Sequence, residues 1–206
     1  MDELFHVFIT LFIVVDPIGI APMFVSLVRG GNVSFVRRMA IRSTSVAAGI
    51  LFVFFFIGDK FLEILGIGML AFRIAGGVLL FLLAIDMVFA RQSGLRSTTV
   101  REQEEAEHKQ DISVFPLAFP LISGPGALTT VLLMATTKAD SLLYIGMIVI
   151  LAVVLILTLV SLLYAGKLTQ LLGETGTNVI SRLFGLILAA LAVQFILDGI
   201  TASVLK

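Results

Sequence analysis

Asp16 opens the run Asp16-Pro17-Ile18-Gly19-Ile20-Ala21-Pro22, near the middle of a strongly apolar stretch. A carboxylate at that depth is costly in hydrocarbon and marks a functional site by default. Asp before Pro is also a helix-start signal. The carboxylate accepts a first-turn N–H, and proline occupies the position whose N–H would go unused. A second run, Pro120-Leu121-Ile122-Ser123-Gly124-Pro125-Gly126, lies in another apolar stretch, and Pro17 and Pro125 are 108 residues apart (125 − 17). Proline removes a backbone donor and clashes with the preceding turn, and an adjacent glycine loosens the helix further. Both runs are expected to break a helix at mid-membrane, with second halves starting at 17 and 125 and running toward opposite faces. Broken backbone survives in a bilayer only against protein or a watery cavity. The two free N-termini, with unpaired N–H groups and positive dipole ends, would then meet at the midplane. Such a place suits the carboxylate of a small zwitterion, with Asp16 facing its ammonium. The expected substrate-binding residues are Asp16, Pro17, Ile18, Gly19, Ser123, Gly124, Pro125 and Gly126, with Thr129 and Thr130 one turn on. Those two hydroxyls either face the site or bond back to their own helix. Asp16 is also the proton-coupling candidate, since burial and the helix N-termini pull its proton in opposite directions. Its rival role is capping alone.

The elements that must hold these residues are membrane spans. Of 206 residues, 59% are hydrophobic and 14% charged, against about half and a quarter in soluble domains. One globular core could not hide that excess, and it comes in runs of about 20 residues, the length a bilayer demands. Six helices are expected, at 5–28, 40–58, 69–90, 112–137, 141–165 and 179–203. The acidic start, Met1-Asp2-Glu3, lacks the positive region of a cleavable leader, so the first apolar run is expected to stay as a span. The mixed-charge stretch 91–111 reads as a solvated linker.

Loop charge sets the orientation. Arg29, Arg37, Arg38, Arg42, Arg91, Arg96, Arg101, Lys109, Lys167 and Arg182 fall on one side, and Lys60, Lys138 and Lys206 on the other. Ten against three places the linker in the cytoplasm and both termini outside it. The halves also echo each other. Lys60-Phe-Leu-Glu-Ile-Leu-Gly66 matches Lys167-Leu-Thr-Gln-Leu-Leu-Gly173, and Arg73-Ile-Ala-Gly76 matches Arg182-Leu-Phe-Gly185, at offsets of 107–109. The expected organisation is a first three-helix repeat at 1–90, the charged cytoplasmic linker at 91–111 and a second repeat at 112–206. Three spans is an odd number, so the second copy is inverted, as in many secondary transporters.

The D-P-I-G-x-x-P run, the S-G-P-G run and six spans in 206 residues resemble the MarC family, also called the neutral amino acid transporter family. The resemblance covers the whole chain. It implies an all-α membrane fold of two inverted three-helix repeats with discontinuous first and fourth helices. It also implies proton-linked transport of glycine, alanine and similar small neutral amino acids across a bacterial inner membrane. The family's name refers to an antibiotic-resistance locus, which does not establish drug efflux.

Other residues point elsewhere or nowhere. Asp86 and Asp198 are expected near the interfaces, Arg73 and Arg182 to snorkel, and Gln194 to bond a neighbouring helix or touch substrate. His6 and His108 offer no metal-ligand spacing, and neither cofactor nor metal is called for. With no cysteine, no buried histidine and no aspartate pair, an embedded enzyme is disfavoured. Zero net charge argues against nucleic acid. The expected function is therefore a secondary active transporter working by alternating access. Its partners are a small neutral amino acid, protons and the lipid bilayer, and a homo-oligomer is compatible with it. An exporter of another small solute, or a channel, is the alternative.

Overall fold

The computed structural model describes residues 2–89, 111–136 and 141–204. Residues 91–110 of the linker, with Ser93, Ser97 and His108, fall outside the described residues, as do Lys138 and Lys206. Among the described residues the chain is all helix. In order come α1 (Asp2–Val15), α2 (Pro17–Leu27), α3 (Val33–Ile64), α4 (Met69–Val88), a wide-wound α5 (Ser113–Ile122), α6 (Pro125–Ala135), α7 (Ser141–Leu163) and α8 (Ala165–Val204). Five helical stretches are long and apolar enough to cross a bilayer, and six spans result when the bent pair α5–α6 counts as one. The chain is a multi-pass membrane protein.

Local chemistry fixes the ends. The Asn32 side chain accepts the Phe35 N–H at 2.8 Å, which starts α3 at Val33, seven residues before the apolar run expected at 40. With 32 residues, α3 is about 48 Å long at 1.5 Å per residue. That exceeds the bilayer core of about 30 Å, so it carries Arg37, Arg38 and Arg42 beyond the apolar region. At its other end the Ile67 N–H bonds the Leu62 carbonyl at 2.9 Å around Gly66, whose φ of 69° suits glycine alone. Gly173, 107 residues on, interrupts α8 with φ 66°. The last candidate span is Thr175–Val204.

Each short half-helix lies against helices distant in sequence. α2 packs on α7 and α8, while α6 packs on α3 and α4. The longest contact joins α4 to α8, and glycines set its closeness. A β-carbon on Gly185 would come within 3.0 Å of the Ala84 carbonyl. One on Gly77 would come within 2.8 Å of the Ala192 carbonyl, and one on Gly199 within 3.3 Å of the Leu70 carbonyl. As α8 numbers rise the α4 numbers fall, so the two helices run antiparallel. Two of these contacts exchange under a shift of 108: 77 and 185 touch the carbonyls of 192 and 84. Buried Leu11, Ile20, Phe24, Leu51, Leu80, Leu132 and Leu151 fill the interior, while Phe56, Val149, Ile156 and Leu186 face outward. An apolar outer face is what hydrocarbon accepts.

Asp111 ties α5 to α3. Its carboxylate accepts the Ser113 N–H at 3.0 Å and the Ser113 hydroxyl at 2.5 Å, and it pairs with Arg42. The two Ser113 bonds, aided by Arg42 and Arg38 and opposed by slight burial, hold the Asp111 carboxyl below its ordinary value. A depressed carboxylate stabilises the fold above its unfolded pKa, and the contribution is lost as pH falls through the folded one.

Candidate functional site

The first joint is a single left-handed residue. Asp16 has φ 51° and ψ 64°, a region that Asp tolerates better than most side chains. Its N–H bonds the Phe12 carbonyl at 2.9 Å and its carbonyl receives the Ile20 N–H at 3.1 Å, so hydrogen bonding continues across the joint. Its Oδ1 accepts the Gly19 N–H at 3.0 Å, the cap expected from sequence. A β-carbon on Gly19 would sit 2.1 Å from Asp16 Oδ2, so glycine at 19 is what lets the carboxylate fold onto its own helix. Asp16 is 2% exposed. The expected discontinuity in the first span is present, yet α1 and α2 remain one span, Glu3–Leu27. Further along, Pro22 has no N–H, so the Ile18 carbonyl loses its usual helical donor.

The second joint is larger. Residues preceding proline are pushed out of the helical region, and Phe115 and Phe119, before Pro116 and Pro120, are both extended. α5 is therefore wound with bonds five residues apart, as from the Ser123 N–H to the Ala118 carbonyl at 2.9 Å. α6 then departs at 60°. The buried Ser123 hydroxyl donates to the same Ala118 carbonyl at 2.7 Å, which closes α5.

Where the first joint has Asp16, the second has Gly124, 108 positions on, with no side chain to cap α6. Pro125 lacks an N–H, and the Leu128 N–H is held by the Gly124 carbonyl at 3.0 Å. The Gly126 and Ala127 amides are the remaining first-turn donors without intrahelical acceptors. They stand at a shallow hollow of about 10 Å³, room for about one water. Its walls are Val14, Leu79, Leu83, Leu121, Ile122, Gly124, Pro125, Gly126 and Ala127.

Of the ten residues expected to bind substrate, Gly124, Pro125 and Gly126 line this hollow, while Asp16, Pro17, Ile18, Gly19, Ser123, Thr129 and Thr130 do not. The joints still lie close together, since Val14, two residues before Asp16, shares the hollow with the start of α6. Thr130 bonds back to the Gly126 carbonyl at 2.9 Å, and the Thr129 methyl packs over Gly76 of α4. Gln194 is exposed and donates to Asp198, one turn along its own helix, at 2.7 Å, rather than to a neighbour. Sequence reasoning missed the apolar walls from α4, Leu79 and Leu83. Among the many leucines of the apolar spans nothing distinguished them.

The model of the MarC family, described as MarC family integral membrane protein, matches residues 1–204. The chain belongs to the MarC family. Its relatives span nearly their full lengths. The UPF0056 membrane protein of Archaeoglobus fulgidus is 33% identical over 95% of this chain and 91% of its own. YvbG of Bacillus subtilis is 35% identical over 95% and 92%. The UPF0056 inner membrane protein YhgN of Escherichia coli is 33% identical over 97% of each. No solved structure matches. This MarC protein therefore joins relatives from bacteria and archaea whose names specify a membrane protein and no substrate.

Proposed function

We propose that this MarC protein is a secondary transporter of small neutral amino acids, built from two inverted three-helix repeats and working by alternating access. The observation that carries the reading is the uncapped start of α6 at the hollow. Amide donors at mid-span, with the positive end of a helix behind them, fit a carboxylate. The hollow is small and apolar and holds about one water as it stands. It must therefore widen to take even a substrate with little or no side chain, and the same opening would have to bring in the nearby Asp16 carboxylate as the negative partner for an ammonium. Two further features support the repeats and their motion. α2 and α6 each lie between helices of the opposite half, and the α4–α8 contacts exchange at an offset of 108. A halves-against-halves arrangement of this kind can rock about a central site.

The test is uptake by purified protein in proteoliposomes across a panel of amino acids, with and without a pH difference. Saturable uptake of glycine and alanine, accumulating when a pH difference is imposed, is expected. Flux that never saturates would make the protein a channel, and no flux of any panel member would end the reading.

The membrane is read as the bacterial inner membrane, with the linker in the cytoplasm. The natural sequence has no cysteine, so single cysteines report side without background. In intact cells, Ser93→Cys and Ser97→Cys are expected to be shielded from an impermeant maleimide, and Lys206→Cys to react. The reverse pattern would invert the topology.

A further inference from the structure

We propose that Ser161 of α7 is a positioning residue for the Asp16 joint: by holding the Pro17 carbonyl it fixes the first peptide planes of α2 and the carboxylate they bind. The consequence for transport rests on the function proposed above. The positional claim does not.

Hydroxyls inside helices ordinarily donate back to a carbonyl three or four residues earlier. Ser43, Thr44, Thr130, Thr158 and Thr177 all do so here. Ser161 departs from this habit. Its Oγ donates to the Pro17 carbonyl oxygen at 2.5 Å, 144 residues away and on another helix. That distance is at the short end for an O–H···O bond. Pro17 is buried, and Ser161 is half-buried beside it.

The accepting peptide is the one that matters. The Pro17 carbonyl shares a rigid plane with the Ile18 N–H, and the next amide, Gly19 N–H, is the one that holds Asp16 Oδ1. The same turn has been loosened from the other side, because Pro22 offers no donor to Ile18. A brace from α7 therefore acts on the turn least able to hold its own direction.

The brace also follows the carboxylate. At the offset of 108, Asp16 corresponds to Gly124 and Ser161 corresponds to Val53, while proline stands in both halves at 17 and 125. Val53 is exposed on α3 and has no hydroxyl to give. If Ser161 were only a general device for seating a proline-started half-helix, Pro125 would need a matching one. The half that has the carboxylate has the brace.

The test uses a label that the sequence makes unique. Pro17-Ile18 is the one Pro–Ile step in the chain, so carbonyl-¹³C proline with ¹⁵N isoleucine gives a single peptide cross-peak in NMR of the full-length protein in detergent or lipid. Carboxyl-¹³C aspartate gives a second signal, identified as the one lost in Asp16→Asn. Ser161→Ala is expected to shift both signals, and Ser161→Thr, which keeps the hydroxyl, to return both toward their original positions. Movement of the peptide peak alone would reduce Ser161 to a tie between helices and overturn the proposal, as would movement of neither. Should Ser161→Ala not fold, Ser161→Cys keeps the size with a far weaker donor and is expected to shift both signals in the same sense. In proteoliposomes, Ser161→Ala is expected to raise KM for glycine several-fold with Vmax nearly unchanged. If the unmodified protein takes up no amino acid at all, the transport reading falls while the two signals still decide the role of Ser161.

Discussion

Asp16→Asn is expected to give a folded protein that still exchanges small neutral amino acids but no longer accumulates them under a pH difference, its accumulation ratio falling to about one. The geometry makes asparagine the right probe. Asp16 sits in the left-handed region at φ 51°, where Asn is at least as comfortable as Asp. Its Oδ1 accepts the Gly19 N–H, a bond that the asparagine carbonyl can also accept. The space beside Gly19 is already filled by the aspartate side chain, and asparagine has the same size. Fold and cap are thus conserved, and what disappears is the negative charge together with the capacity to titrate. Alanine would be a poorer choice, because it loses the cap, about 1 kcal/mol, and is less at ease in that backbone conformation. Near-normal accumulation by Asp16→Asn would leave Asp16 a structural cap and remove it from coupling. Loss of exchange as well would instead make its charge a direct partner of the substrate ammonium. Folded yield from detergent size-exclusion, compared with the unmodified protein, separates these outcomes from simple misfolding.

The spans were legible in the sequence because hydropathy is a property of long runs, and a bilayer reads long runs. Their ends were not, because ends are set by single residues. Asn32 starts α3 among arginines that no apolar window would include, and Gly173 separates Ala165–Leu172 from the last span with one left-handed residue. The Asp-Pro cap was legible for the opposite reason. It is a local bond between a side chain and an amide three residues on, and short-range chemistry needs no tertiary knowledge. The fourth span shows the limit of such reasoning. Pro120, Gly124 and Pro125 signalled a break, but not that Phe115 and Phe119, before Pro116 and Pro120, also leave the helical region, so that all of α5 is rewound. The roles of the site residues depend on the tertiary fold. Ser123 closes α5, and Thr129 covers Gly76, because of neighbours that only the packing of distant helices supplies.

Gly124 and Gly126 look alike in the sequence, and the structure sets them apart. Both were expected to bring bare backbone to a substrate. Gly124 has φ −67° and ψ 174°, a conformation open to any residue, so freedom of rotation is not what requires glycine there. Space is: a β-carbon at 124 would lie 2.4 Å from the Pro120 carbonyl oxygen, a backbone atom that cannot move without the whole α5–α6 bend. At Gly126 the obstacles are the ends of Leu80 and Leu83, at 2.9 and 3.2 Å, which can rotate aside. Gly124→Ala is therefore expected to cost about 1–3 kcal/mol, the range for forced overpacking. It should lower folded yield and melting temperature and bring loss of uptake with them. Gly126→Ala is expected to fold nearly normally but to narrow the hollow it shares with Leu83 and Val14, so alanine uptake should fall more than glycine uptake. Gly126→Val extends the same blockage, and both substrates should be lost while the protein remains monodisperse. These are separable by melting curves and by the ratio of alanine to glycine uptake. Equal loss of both substrates in Gly126→Ala, with stability intact, would mean the hollow does not hold the side chain. Normal uptake in Gly126→Val would mean it does not hold the substrate, and the start of α6 would then be a kink without a ligand.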